Sequence, residues 1–125
     1  MTPQNTAGPA GPSEPDGLAV TARVQEGVLV LGLAGTPDHT GQSALHRALE
    51  AADPSLCRIV CDLEQLTFMD STGINLFLIM HRRAGQQDGW LRLTAAPEPV
   101  LRTLQLVGLD QVISLHPTVA HALNA

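Results

Sequence analysis

The sequence contains no lysine and no tyrosine, and its aromatic residues are Phe68, Phe77 and Trp90. The absence of lysine excludes Schiff-base chemistry, the lysine of a Walker phosphate loop and the late lysine of a receiver domain. Proteins that bind nucleic acid usually present a basic face and stacking rings. This chain of 125 residues instead has a formal net charge of −5. The composition therefore argues against a nucleic-acid partner.

Long apolar runs are also absent, and cysteine is scarce. No run approaches the roughly 20 residues that a transmembrane helix requires, and no basic targeting region follows Met1. We therefore expect a cytoplasmic protein without membrane insertion. Cys57 and Cys61 fall in one strand-like run, where residues four apart are separated by about 13 Å. A disulfide requires Cα atoms within about 7 Å, so we predict two buried, inert thiols.

Two regions differ in composition. Residues 1–17 contain four of the nine prolines and three of the eleven glycines, without apolar periodicity, which is typical of a disordered tail. From residue 18 to residue 125, strand-like and helix-like periods follow one another in the order β-β-α-β-α-β-α-β-α. Because strands that alternate with helices favour parallel pairing, we predict a single α/β domain with a mixed sheet.

Three elements of this domain matter for the site. A short, almost wholly apolar strand is predicted over 58–63, a helix from about Thr72 to Gln87, and a last strand over 112–115. The helix contains Leu76-Phe-Leu-Ile-Met80, an apolar band wider than the stripe of a surface helix. Two interpretations are open: the helix is buried between other elements, or part of the band is exposed and binds a partner.

The densest cluster of unusual residues is Phe68-Met-Asp-Ser-Thr-Gly-Ile74. Asp70, Ser71 and Thr72 are all favourable N-cap residues, so a helix is expected to begin here. Gly73 is a poor helix former, and its missing side chain would allow another group to approach the backbone closely. From these residues alone, the simplest interpretation is a well-capped helix, and the alternative is a functional site.

The sequence fits neither an enzyme active site nor a metal site well. An aspartic protease loop reads Asp-Thr-Gly or Asp-Ser-Gly, whereas two residues separate Asp70 from Gly73, and no Gly-x-Ser-x-Gly elbow of a serine hydrolase occurs. The five histidines show no metal-ligand spacing, and His116 and His121 are too far apart in sequence for one helical face. We predict no catalytic residues, no cofactor and no metal site.

Three segments carry a family resemblance. Val60-Cys-Asp-Leu63, Leu66-Thr-Phe-Met-Asp-Ser-Thr-Gly-Ile74 and Leu104-Gln-Leu-Val-Gly-Leu-Asp110 resemble the STAS domain, and most closely the freestanding bacterial anti-sigma factor antagonists. The resemblance runs from about Leu18 to Leu123. It implies a five-stranded mixed sheet with about four helices packed around it, so that residues 18–125 would be a STAS domain.

The resemblance also implies a function. In that family the unphosphorylated antagonist binds an anti-sigma factor that is also a serine protein kinase, and so releases a sigma factor. Phosphorylation of the residue after the motif aspartate ends the binding; that residue is Ser71, with Thr72 the less favoured acceptor, and a phosphatase would restore the active form. The implied partner-binding residues are Asp38, Asp70, Ser71, Thr72, Gly73, Ile74, Asn75 and Leu78.

One loop departs from the family pattern, and two other functions stay open. The family's usual Gly-Glu-Leu-Asp reads Gly35-Thr-Pro-Asp38 in this chain. One alternative function is a STAS subunit of a larger complex, such as a lipid-transport ATPase, in which Ser71 only caps the helix. The other is a small hydrolase that depends on Ser71 or Asp70, although the sequence offers it neither a base nor an oxyanion motif.

Overall fold

The structure, a computed structural model, describes residues 18–36 and 39–125, and over residues 39–42 it describes the backbone alone. The tail predicted over residues 1–17 and the predicted partner-binding residue Asp38 lie outside the described residues.

The described residues form one five-stranded mixed sheet with helices on its faces. The strands lie in the order β1-β2-β3-β4-β5; β1 is antiparallel to β2, and the remaining neighbours are parallel. This confirms the predicted α/β class and element order. In chain order the elements are β1 (Leu18–Gln25), β2 (Val28–Gly35), α1 (His39–Ala51), β3 (Arg58–Leu66), α2 (Ser71–Gln86), β4 (Trp90–Thr94), α3 (Glu98–Leu106), a 3-10 helix (Leu109–Gln111), β5 (Ser114–His116) and α4 (Val119–Leu123).

Three helices cover one face of the sheet. Because successive parallel strands are joined by crossovers of one hand, their connecting helices are expected on the same side. The main core accordingly combines apolar residues of α1, α2 and α3 with alternate residues of β2, β3 and β4. Its fully buried side chains include Leu31, Leu63, Phe77, Met80 and Leu104.

The other face is covered by α4. Ala122 packs there with Val28, Val30 and Val60 in a second, smaller cluster. Arg92 Nη1 donates a hydrogen bond of 2.7 Å to the carbonyl oxygen of Ala122. The Arg92 guanidinium also lies 3.7 Å from the centre of the Trp90 ring, a cation–π contact. One arginine therefore links α4 to β4.

The central strand β3 is buried on both faces, as its apolar sequence predicts. Val60 faces the α4 side, whereas Cys61 and Leu63 face the main core, all with no exposed surface. Burial raises the pKa of the Cys61 thiol far above its usual range, and the neighbouring Asp62 charge adds to the effect. Both cysteines are free thiols; Cys61 is buried as predicted, but Cys57 is half-buried and precedes the strand.

Two strand boundaries differ from the prediction. β3 continues to Leu66 instead of ending at Leu63, with a register irregularity where it pairs with Gly32–Ala34. β5 begins at Ser114 instead of Val112. Gly108 adopts a left-handed φ of 77° and a 3-10 turn follows it, so that the amides of Val112 and Ile113 both bond back to the Leu109 carbonyl.

Gly89 supplies a stability test, because its backbone lies against that of Cys57. A Cβ atom at Gly89 would stand 1.8 Å from the Cys57 carbonyl oxygen, whereas one at Gly85 would meet nothing within 4 Å. We expect Gly89→Ala to lower the free energy of unfolding by more than about 2 kcal/mol through this overlap. Urea denaturation followed by circular dichroism measures the change.

Gly85→Ala is the matched control. It adds the same methyl group within α2 and should raise stability by about 0.5–1 kcal/mol, because alanine is the better helix former. Equal effects of the two substitutions would contradict the close contact at Gly89.

Candidate functional site

Asp70 begins helix α2. Its backbone is extended, with φ −137° and ψ −164°, and its side-chain Oδ1 accepts a hydrogen bond of 3.0 Å from the backbone N–H of Thr72. Its carbonyl oxygen accepts the first intrahelical bond, 3.1 Å from the amide of Ile74. Asp70 is thus the N-cap, and Ser71 is the first helical residue, exposed to solvent.

The site lies at the carboxyl edge of the parallel strands. Thr67, just after β3, donates its amide to the Gly35 carbonyl oxygen at 2.9 Å, and its hydroxyl lies 3.1 Å from that of Thr36. These two bonds hold the end of β2 against the segment that leads to Ser71. The loops after β2 and β3 therefore meet beside the start of α2.

Helix α2 divides its apolar band between core and surface. Leu76, Phe77 and Met80 are buried, which confirms the buried interpretation for them. Ile79 keeps 49% of its surface exposed, which meets the exposure that the other interpretation requires, while partner binding there stays a prediction. The exposed residues Ser71, Asn75, Ile79 and Arg82 recur at helical spacing and form one solvent-facing stripe.

The predicted site residues occupy two turns of α2, but not all of them are at the surface. Ile74 and Leu78 are half-buried and pack against the main core, so these two predicted partner-binding residues are only partly exposed. Thr72 is half-buried and Gly73 is buried. Among the predicted site residues that the structure describes, Ser71 and Asn75 are the exposed ones.

Phe68 is a surface residue that the sequence did not single out. It keeps 50% of its surface exposed, two residues before the Asp70 cap, while the next residue, Met69, is buried. Large exposed aromatic side chains are enriched at protein interfaces. Buried residues recur here at every third position, Leu63, Leu66 and Met69, so the even-odd alternation of a strand does not mark Phe68 as exposed, and no sequence signal identifies it.

A groove runs beside the exposed stripe, between α1 and α2. It has a volume of about 500 Å³, and its walls include Leu45, Leu49, Leu76, Ile79 and Met80. Ile79 thus borders both the groove and the solvent-facing stripe. The surface next to Ser71 combines polar hydroxyl and amide groups with two large apolar side chains, Phe68 and Ile79.

Several acidic groups precede the site. Glu64 is exposed near the end of β3, and Asp62 is half-buried with its Oδ1 accepting a bond of 3.1 Å from the Glu64 amide. With Asp70, they make the chain leading to α2 acidic. A further negative group at Ser71 would add to the charges that are already present.

Two histidines whose spacing does not fit one helical face are in contact in the structure. His116 ends β5 and His121 lies on α4, and their Nδ1 atoms are 2.9 Å apart. Burial, then the nearby His121 and Arg92, lower the pKa of His116. Within residues 18–36 and 39–125, no group of three His, Cys, Asp or Glu side chains could hold a metal ion.

The membrane question has a limited structural answer. Over the part of the chain that is described, none of the helices combines the length and the apolar character needed to span a bilayer.

A family model described as "Mlab, STAS domain" matches residues 20–117. The chain is 29% identical over 109 residues to the anti-sigma F factor antagonist of Paenibacillus polymyxa, covering 86% of this chain and 93% of that protein. It resembles the crystal structure of an anti-sigma factor antagonist from Mycobacterium paratuberculosis, with a TM-score of 0.77, 28% identity, and coverage of 90% and 96%.

A more distant structure shares the fold. SpoIIAA, a Bacillus cell fate determinant, solved in its phosphorylated form, has a TM-score of 0.66 and 24% identity, covering 85% of this chain and 97% of that one. The five-stranded mixed sheet with four helices matches these neighbours. The relatives at 29% and 28% identity are anti-sigma factor antagonists, and they do not favour a subunit of a lipid-transport ATPase.

The Asp70 cap leads to a measurable expectation. Asp70→Ala removes the acceptor of the Thr72 amide, so the free energy of unfolding should fall by about 1 kcal/mol. Asp70→Ser keeps a side-chain oxygen at the cap and should lose less than half as much. Chemical denaturation of both variants makes the comparison, and equal losses would mean that the cap bond contributes little.

Proposed function

Because the chain belongs to the STAS domain family, we propose that it is an anti-sigma factor antagonist whose binding is switched off by phosphorylation of Ser71. The observation that carries the proposal is the placement of Ser71. Ser71 is exposed at the first position of α2, directly after the N-cap. The named relatives, anti-sigma factor antagonists at 29% and 28% identity, support the same function.

Ser71 is a better phosphate acceptor than Thr72 on structural grounds. A kinase must bring the γ-phosphate of ATP to the hydroxyl, which requires the residue to be accessible. Ser71 is exposed, whereas Thr72 is half-buried and its amide is occupied by Asp70. Phosphorylation of Ser71 is also what the family resemblance implies.

The folded state is able to accept the phosphate. A phosphoserine carries about −1.5 to −2 charges, and the N-terminus of a helix stabilises anions through its free amides and dipole. The phosphate would therefore leave α2 in place. That SpoIIAA, which shares this fold, has been solved in a phosphorylated form supports this point.

The change would occur at the surface. The phosphate would stand beside Asp70 and about one helical turn from the exposed side chain of Asn75, on the same stripe as Ile79. A partner that buries this surface would have to desolvate a divalent anion and would face added repulsion from any acidic group of its own. A loss of about 3 kcal/mol corresponds to more than a hundredfold weaker binding.

The unphosphorylated surface supplies the binding energy. Phe68 and Ile79 both present large apolar surfaces to solvent. Phe68 precedes Ser71 in the chain, and Ile79 lies about 12 Å beyond Ser71 along the helix axis. Asp38 lies two residues beyond Thr36, which bonds to Thr67 before the site. We include Asp38 in the partner-binding surface on this connection, together with the Asp70–Leu78 segment.

The partner in this proposal is an anti-sigma factor with serine kinase activity, and a phosphatase returns the antagonist to its binding form. The chain itself acts as a binding protein and performs no reaction. All of these components would act in the cytoplasm, where transcription takes place.

Variants of Ser71 test the switch. Ser71→Ala should abolish phosphate incorporation by the cognate kinase and ATP, measured as intact mass, because it removes the acceptor hydroxyl. Ser71→Glu should weaken binding of the anti-sigma factor at least tenfold in a titration, because it places a charge at the same point.

Thr72→Ala is the control for the first arm and should still accept one phosphate. Far-UV circular dichroism is the control for the second, and it should be unchanged for Ser71→Glu. Full labelling of Ser71→Ala would refute the assignment of the acceptor, and loss of the folded spectrum in Ser71→Glu would show that Ser71 has a structural role only.

The apolar part of the surface has its own test. Phe68→Ala should weaken binding of the anti-sigma factor about tenfold or more, as expected for truncation of an aromatic anchor. Val112→Ala is the matched control, because Val112 is 52% exposed and lies outside α2, between α3 and β5. Isothermal titration measures both, and equal affinities would remove Phe68 from the interface.

A further inference from the structure

The first strand, β1, is a long open edge of the sheet. It pairs with β2 over all eight residues, from Leu18 opposite Gly35 to Gln25 opposite Val28. Among residues 18–36 and 39–125, no strand pairs with its other side. In an antiparallel strand, alternate residues direct both backbone groups away from their partner, so this edge offers a row of free donors and acceptors.

The edge has little of the usual protection against further pairing. Proteins blunt such edges with short strands, prolines, bulges or charged side chains. β1 has no proline, a continuous register with β2, and one charged residue, Arg23. The opposite edge strand, β5, has only three residues. β1 is therefore the side on which this sheet can be extended.

An apolar groove lies along the same edge, between β1 and α1. Its volume is about 280 Å³, and Ala22, Val24, Ala48 and Ala51 are among the residues that line it. Val24 is 60% exposed there. The groove gives an added strand a place for one apolar side chain, which is how strand addition acquires specificity.

We propose that this edge is a self-association surface, on which β1 of a second copy pairs antiparallel to β1. A register centred on Ala22 would place Val24 of one copy opposite Val20 of the other, on the side that carries the groove. Arg23 would stand opposite Thr21, so no like charges would be directly opposed. The same strand serves both copies, which gives a closed two-fold dimer.

The chain's own residues 1–17 are a poorer occupant of the edge. They contain Pro3, Pro9, Pro12 and Pro15, and proline cannot donate a ladder hydrogen bond. A second β1 is free of proline and already extended.

The dimer would be weak and independent of the switch. A pair of eight-residue strands with their grooves falls at the low end of interface sizes, below about 1,200 Å². Ser71 follows β3, two strands away from β1, so dimer formation leaves it accessible. The inference therefore does not depend on phosphorylation of Ser71 or on the anti-sigma factor.

Sedimentation velocity of the full chain tests the proposal. The wild type should be monomeric near about 10 µM and shift towards dimer near about 1 mM. Val24→Lys should remove the shift, because it places a charge in the groove of both copies. Val112→Lys, at a side chain of similar exposure, should keep it.

Amide resonances of the wild type supply a measurement that needs no variant. Those of residues 18–25 should move with concentration, while those of α2 stay unchanged. A monomer at every concentration, or a dimer that Val24→Lys retains, would overturn the proposal. Loss of the dimer in Val112→Lys alone would place the contact at another apolar patch and would overturn it equally.

Discussion

The pairing of β3 with β2 on one side and β4 on the other is the interaction on which the rest of the structure depends. All three strands run in the same direction, so their carboxyl ends meet at one edge. The chain that leaves β3 is held there by the bonds of Thr67 to Gly35 and Thr36, before Asp70 begins α2. The position of Ser71 is therefore a consequence of strand pairing and one helix cap.

Local patterns predict much of this fold because the controlling interactions are local. The Asp70 cap involves near neighbours, and both ends of α2 agree with the prediction to within one residue. β1 likewise begins at residue 18, where the composition changes. The β5 boundary is different. Val112 and Ile113 have strand-forming side chains, yet the turn after Gly108 directs their amides to Leu109.

The same distinction applies to the site. Spacing places Asp70, Ser71 and Asn75 at the start of a helix, but exposure depends on which side of that helix meets the sheet. Ile79 and Phe77 are both large and apolar, yet only Ile79 reaches solvent. The contact between His116 and His121 is short-range, but it depends on the turn at Thr118 that begins α4, which the spacing rule for one helical face does not describe.

The burial of Cys61 makes the central strand observable. Its thiol lies on β3 with no exposed surface and a raised pKa, so a thiolate for alkylation forms there only when the strand opens. Cys57, four residues earlier, is half-buried and outside the strand. The two thiols therefore give one molecule a slow and a fast site for the same alkylating reagent. The ratio of their labelling rates measures how often the sheet opens at its centre.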